Sequence, residues 1–143
     1  ADDIIFGDDG VDAIVSGGGN DIVVGGNGND QIVGGAGRDL LIGGNGFDNL
    51  IGLDGDDILI GGKTAFDGDV AALQAMLATW TSADSFSARV TALSGQLNAT
   101  TVQSDGSLDF IFGNQGRDWQ LDYSYLDIFF DFNWNPSSGD RKN

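Results

Sequence analysis

The chain has 143 residues, 24 of them glycine, with one proline, no cysteine and no histidine. Acidic residues outnumber basic ones 22 to 6, a formal net charge of −16, which argues against nucleic acid or an anionic membrane surface as a partner. Disulfides, thiolate or imidazole zinc sites, cysteine nucleophiles and histidine-based triads are all excluded by composition.

From its first residues the chain keeps a strict beat. Asp3, Asp12, Asp21, Asp30, Asp39, Asp48 and Asp57 fall every nine residues. After the fragment ADDIIF, the units are GDDGVDAIV (7–15), SGGGNDIVV, GGNGNDQIV, GGAGRDLLI, GGNGFDNLI and GLDGDDILI (52–60). Each has six turn-forming residues, with glycine favoured at the first, second and fourth places and aspartate at the sixth, then three strand-forming ones. Such short strands are stable only when stacked on neighbouring repeats.

One six-residue loop reverses the chain once, so a full turn takes eighteen residues and each residue stands beside the one eighteen further on. At a strand spacing of about 4.8 Å, Asp3, Asp21, Asp39 and Asp57 form one column and Asp12, Asp30 and Asp48 another. Carboxylates stacked this way repel by roughly 1 kcal/mol per pair even in water, so a cation is expected between them. Loop carbonyls and carboxylates from two turns give an all-oxygen cage of about six ligands, which suits calcium rather than zinc or copper. All 22 acidic residues are aspartate, the shorter, turn-closing carboxylate. Two other readings are a glycine-rich linker and a solenoid whose aspartates only close turns; neither needs strict register.

The repeats over residues 1–62 resemble the nonapeptide GGxGxDxUx of the RTX (repeats-in-toxin, haemolysin-type) calcium-binding proteins. The resemblance implies a mainly β fold: a parallel β-roll, a right-handed β-solenoid of 18 residues per turn, here with a short α-helical insert and an aromatic C-terminal cap. It also implies that each calcium takes the carbonyls of places two and four and the aspartate of one loop. The loop eighteen residues on adds the carbonyls of places one and three and its own aspartate. By that rule Asp8, Gly10 and Asp12 meet Gly25, Asn27 and Asp30, and Gly17, Gly19 and Asp21 meet Gly34, Ala36 and Asp39. Gly26, Gly28 and Asp30 meet Gly43, Asn45 and Asp48, and Gly35, Gly37 and Asp39 meet Gly52, Asp54 and Asp57. Two partial sites flank these four: Asp3 with Asp21, and Asp48 with the loop GGKTAF, where Phe66 replaces the aspartate and Asp67 follows it. About four calcium ions, up to six, would offset roughly half or more of the charge.

RTX proteins commonly leave Gram-negative bacteria through a type I exporter that reads an uncleaved C-terminal signal. The resemblance therefore implies a secreted, extracellular or cell-surface module of a larger polypeptide, exported disordered and folded outside on meeting calcium. The sequence shows no signal peptide or membrane-spanning run, so the chain reads as a fragment or as exported by that other route. The tail DYSYLDIFFDFNWNPSSGDRKN has the acidic and aromatic mixture of such signals, and equally that of a packed cap.

Inside residues 1–62, the eighth places predict a thin core of Ile5, Val23, Leu41 and Leu59 facing Ile14, Ile32 and Leu50. The seventh and ninth places make one sheet apolar outside as well, through Ile4, Ile22, Leu40 and Ile58 with Phe6, Val24, Ile42 and Ile60, so a cover is expected. Residues 63–98 supply it. Helical spacing over 67–80 aligns Val70, Leu73, Leu77 and Trp80, and a second helix is read from a cap at Ser82 through Phe86, Val90 and Leu93 to Gly95.

Over 99–143 the beat resumes at Asp109, Asp118 and Asp127, with heavy triplets Phe110–Phe112, Trp119–Leu121 and Ile128–Phe130. These read as further rungs and an aromatic cap, with Asp109 and Asp118 as further metal candidates beside Asp67. The segments AFDGDVAALQAMLATWTSADSFSARVTALSG and LNATTVQSDGSLDFIFGNQGRDW resemble a C-terminal module found behind RTX arrays in large secreted bacterial proteins. Twelve of the 14 aromatics follow residue 62. A recognition surface of Trp119, Tyr123, Tyr125 and Trp134 for a glycan or another partner is one alternative, and a purely structural spacer another. No enzyme is expected: the pair Asp54 and Asp56 belongs to a loop of the array, and nothing builds a pocket around Asp127 and Asp131.

Overall fold

A computed structural model describes residues 1–121, 128–130 and 141–142. Six strands of six residues open the chain: β1 (Ile4–Asp9), β2 (Ala13–Gly18), β3 (Ile22–Asn27), β4 (Gln31–Ala36), β5 (Leu40–Asn45) and β6 (Asn49–Asp54), followed by β7 (Ile58–Ile60). They alternate between two parallel sheets, and each pairs with the strand one full turn on: Ile5 with Val23, Val23 with Leu41, Ile14 with Ile32 and Ile32 with Leu50. The eighteen-residue turn is thus the register of the fold.

The strands are twice as long as the apolar triplets, because pairing runs on into the loop, Asp8 with Gly26 and Asp9 with Asn27. The backbone turns left-handed at place two on three successive turns of this edge, at Asp8 (φ 70°), Gly26 (112°) and Gly44 (114°). Like bends therefore stack on like bends and the ladder survives them.

At Gly61 and Gly62 the chain leaves the roll. Strand β8 (Lys63–Thr64) leads to helices α1 (Val70–Trp80) and α2 (Phe86–Leu93), and β9 (Val102–Gln103) returns antiparallel to β8. Asp69 caps α1 by accepting from the Ala72 N–H (3.0 Å), and Ser85 caps α2 by accepting from that of Ala88 (3.3 Å). The expected cap Ser82 lies earlier and donates to Asp84 instead (3.1 Å).

The roll then resumes with β10 (Phe110–Gln115), β11 (Trp119–Leu121), β12 (Ile128–Phe130) and β13 (Arg141–Lys142). The sheet orders are β1-β3-β5-β7-β11-β13 and β12-β10-β6-β4-β2. Phe110 pairs with Asn49 and Trp119 with Ile58. Here the register steps by 61 residues instead of 18, and the same two stacks of strands continue as though nothing had intervened.

Two apolar layers hold this together. Val23, Leu41 and Leu59 face Ile32, Leu50 and Ile111 inside the roll, with Ile5 and Ile14 partly buried beside them. On the outer face of the first sheet, Ile22, Val24, Leu40, Ile42, Ile58 and Ile60 pack beneath Leu73, Met76 and Trp80 of α1 and Phe86, Val90 and Leu93 of α2. From β3 to β7 this sheet is buried on both sides, as its continuous apolar triplets require, whereas on β1 the outward Ile4 and Phe6 stay exposed, beyond the reach of the insert. The α1 stripe differs from the sequence reading: Met76 is buried, while Val70, at the first turn of the helix, is 40% exposed and Leu77 half-buried. Trp119 is buried too, 6.0 Å from Trp80 between ring centroids, so it forms part of the packing and not of a recognition surface. Tyr123, Tyr125, Asp127, Asp131 and Trp134 lie outside the described residues. No helix among the described residues is long and apolar enough to cross a membrane.

Candidate metal sites between the turns

The aspartates at place six form two continuous ladders. Oδ1 of each accepts the backbone N–H of the aspartate one turn before: Asp3 to Asp21 (2.7 Å), Asp21 to Asp39 (2.8 Å) and Asp39 to Asp57 (2.9 Å) on one edge. On the other edge Asp12 donates to Asp30 (2.9 Å) and Asp30 to Asp48 (2.8 Å). Both ladders cross the insert, through Asp48 to Asp109 (2.8 Å) and Asp57 to Asp118 (2.9 Å).

The second oxygen is left over. Oδ2 of Asp12, Asp21, Asp30, Asp39, Asp48 and Asp57 is buried and has no hydrogen-bond partner among the described residues. A buried, unsatisfied carboxylate oxygen is costly, and its recurrence at the same place in six loops marks it as a feature of the repeat. Each of these oxygens, where the first-place residue is glycine, lies against that glycine: a methyl group built on Gly25 would stand 2.6 Å from Asp30 Oδ2 and 2.5 Å from the carbonyl oxygen of Gly43. The first-place glycine therefore keeps open a space that a carboxylate of one turn and a carbonyl of the next both enter.

Carbonyls approach from the other side as well. The oxygens of Asp8 and Gly10 point at Gly26 and Gly28, close enough to collide with any side chain there, and Gly17 and Gly19 face Gly35 and Gly37 in the same way. The third-place carbonyls of Asn27, Ala36, Asn45 and Asp54 turn back, accepting the N–H of Gly10 (2.8 Å), Gly19 (3.0 Å), Gly28 (2.8 Å) and Gly37 (2.9 Å). So the structure brings together, in each gap, the loop segments named from the sequence: Asp8, Gly10 and Asp12 over Gly25, Asn27 and Asp30, and the sets built on Gly17, Gly26 and Gly35 after it. Ser16, the one first-place residue that is not glycine in the regular units, donates its hydroxyl to the Gly34 carbonyl (2.9 Å). Among the described residues, no three acidic side chains gather into a metal-holding group, so any cage must draw on these backbone oxygens.

Electrostatics sharpen towards the insert. Burial pushes the Asp39 carboxyl up to about 6, Asp48 to about 8 and Asp57 to about 9, each held down in part by its ladder hydrogen bond and raised again by neighbouring aspartates. Asp30 is raised for the same reasons. A hard divalent cation between the turns would reverse this balance by giving the charged form a counter-charge.

The loop after Asp48 differs from the sequence expectation. Asp67 does not face Asp48; it accepts from the Thr64 N–H and hydroxyl and closes its own turn. Asp109 takes the position opposite Asp48. One residue had no assigned role in the sequence. Asp56, at place five of the last unit, binds Arg89 of α2 (2.5 Å), and these contacts outweigh its burial and lower its pKa. The available signal was an arginine on the apolar stripe Phe86, Arg89, Val90 and Leu93.

Neither the curated proteins nor the solved structures give a match to this chain. Residues 1–32 and 33–63 match the family described as RTX calcium-binding nonapeptide repeat, in four copies. With the eighteen-residue parallel register in place, residues 1–63 carry the RTX calcium-binding nonapeptide repeat and fold as a parallel β-roll.

Proposed function

We propose that calcium ions in the gaps between turns switch this chain from a disordered to a folded state. The ligands are the loop sets given above, Asp8–Asp12 with Gly25–Asp30 through Gly35–Asp39 with Gly52–Asp57. The continuing register adds Leu53, Gly55 and Asp57 over Gly113, Gln115 and Asp118. The observation that carries this reading is the buried Oδ2 without a partner among the described residues, lying in each glycine-opened loop beside a carbonyl of the next turn. Without a cation these carboxylates oppose the fold; with one they hold consecutive turns together, so binding energy becomes folding energy.

In this reading the chain is a module of a larger secreted protein, exported unfolded by a type I route where calcium is scarce and folded outside, where it stabilises and closes the roll. The helical insert supports the closing role, because it covers the outer face of the first sheet that would otherwise expose aliphatic side chains.

Far-UV circular dichroism in chelator, followed by a calcium titration with magnesium as control, tests the switch. Coil turning to β structure with calcium alone is the expected result. A folded spectrum indifferent to chelator would reduce the aspartates to turn closers and remove the basis for the proposal.

A further inference from the structure

We propose that the seam where the helical insert leaves and re-enters the roll is itself a divalent-cation site, closed by Gly61 from the outgoing segment and Asp109 from the returning one, opposite Gly44, Gly46 and Asp48. It rests on the calcium reading of the regular loops and adds a site whose second half is assembled from two stretches of chain separated by both helices.

Asp48 supplies the first argument. It is fully buried, and its Oδ2 has no hydrogen-bond partner among the described residues. This oxygen lies against Gly43, where a methyl group would stand 2.5 Å from it and closer still to the carbonyl oxygen of Gly61. One turn earlier, Asp30 Oδ2 and the Gly43 carbonyl flank Gly25 in the same manner. Gly61 therefore serves the seam as a first-place residue although the chain departs from the roll directly afterwards.

The remaining parts come from the far side of the insert. The Asp48 N–H donates to Asp109 Oδ1 (2.8 Å), as the Asp30 N–H donates to Asp48 Oδ1. The third-place carbonyl of a regular turn is missing. In its stead the Gly46 N–H, whose counterpart Gly28 donates to the Asn45 carbonyl, donates to Asp105 Oδ2 at 2.5 Å. Asp105 is fixed by the Ser107 N–H on its other oxygen (2.9 Å). The seam thus holds a carboxylate where regular turns have a neutral carbonyl. Negative charge near the ligands raises calcium affinity, so this gap should fill ahead of the regular ones. The ion would join residues 61 and 109, closing the long loop that carries α1 and α2, and would make docking of the insert depend on calcium at this place.

Native mass spectrometry of the full chain, titrated from chelator with calcium, tests this on Asp109→Asn and Asp105→Asn, with amide hydrogen exchange of α1 and α2 as the second readout. The expected result for Asp109→Asn is one fewer bound ion than wild type and faster exchange in both helices, with β3 and β4 still protected. For Asp105→Asn it is an unchanged fold with one ion bound about ten-fold more weakly, the effect of removing one nearby charge. Should Asp109→Asn fail to fold, Asp105→Asn decides. Wild-type stoichiometry and affinity in Asp105→Asn overturn the seam site while leaving the regular loops intact, whereas a wild-type chain that binds no calcium overturns the repeat reading as well.

Discussion

Arg89 of α2 and Asp56 of the last regular loop meet across 33 residues of sequence, Nη2 to Oδ2 at 2.5 Å. The guanidinium is buried, also donates to the Trp80 carbonyl (2.9 Å) and lies 4.6 Å from the Trp80 ring centroid. Asp56 in turn accepts the Trp80 indole N–H on its carbonyl (2.6 Å) and the Arg117 N–H on Oδ1 (2.9 Å). A single residue beside the ladder aspartate Asp57 therefore ties together the insert, the last regular loop and the returning turn. Asp56→Ala leaves a buried charge without its partner and should cost about 3–5 kcal/mol. Denaturant unfolding at saturating calcium measures it, and adding Arg89→Met to the variant should recover much of the loss. A cost below about 1 kcal/mol would show that Arg89 reaches solvent once released.

Asp39 should matter more than Asp12. It accepts the Asp21 N–H, donates to Asp57 and keeps a buried free Oδ2, so it faces two gaps, while Asp12 completes only the gap towards Asp30. Asp39→Ala is expected to lower calcium stoichiometry by two and Asp12→Ala by one, read by isothermal titration. Equal losses would mean that the two ladders do not share ligands between successive gaps.

The period made the roll legible because in a solenoid every residue's main partner stands a fixed eighteen places away. Asp21 and Asp39, or Val23 and Leu41, follow from counting alone. The pairing of Asp48 with Asp109 could not be counted, since the insert changes the step to 61 and only closure of the insert decides which aspartate arrives. Place five was opaque for another reason. Its occupants are Val11, Asn20, Asn29, Arg38, Phe47 and Asp56, and the roll itself imposes no single chemistry there. Asn20, Asn29 and Asp56 each cap the N–H of the place-five residue one turn on, Arg38, Phe47 and Arg117 (all 2.9 Å), whereas the second oxygen of Asp56 acquires its role from a helix that the repeat does not encode.

Glycine at place four is required by shape. Gly28 has φ 138°, and any Cβ would collide with the Gly10 carbonyl oxygen. Gly28→Ala should destabilise the calcium-loaded roll by about 1–3 kcal/mol from backbone strain alone, with weaker calcium binding as the carbonyl is displaced. Gly18→Ala is the control: nothing lies within 4 Å of a Cβ there, and the residue one turn on is already Ala36. Thermal unfolding of the two variants in calcium should separate them; equal midpoints would remove the steric argument for the repeat's glycines.

Acid should partly replace calcium. Without metal, the folded-state values of about 6, 8 and 9 for Asp39, Asp48 and Asp57 exceed the ordinary 3.8, so the folded roll holds protons that the unfolded chain releases. Stability of the calcium-free roll is therefore greatest near and below pH 4 as far as these groups decide it, and is lost as pH rises towards 9. Circular dichroism in chelator should show more β structure at pH 4.5 than at pH 8, with the difference abolished by saturating calcium at pH 8. The same linkage makes the number of protons released by calcium binding largest near pH 4.5, where the metal-free roll holds Asp39, Asp48 and Asp57 protonated, and close to zero at pH 7, where the calcium-free chain is unfolded with those carboxylates already ionised. Titration calorimetry in buffers of differing ionisation enthalpy reads that number directly. An equal release at the two pH values would mean that acid does not fold the metal-free roll through these carboxylates.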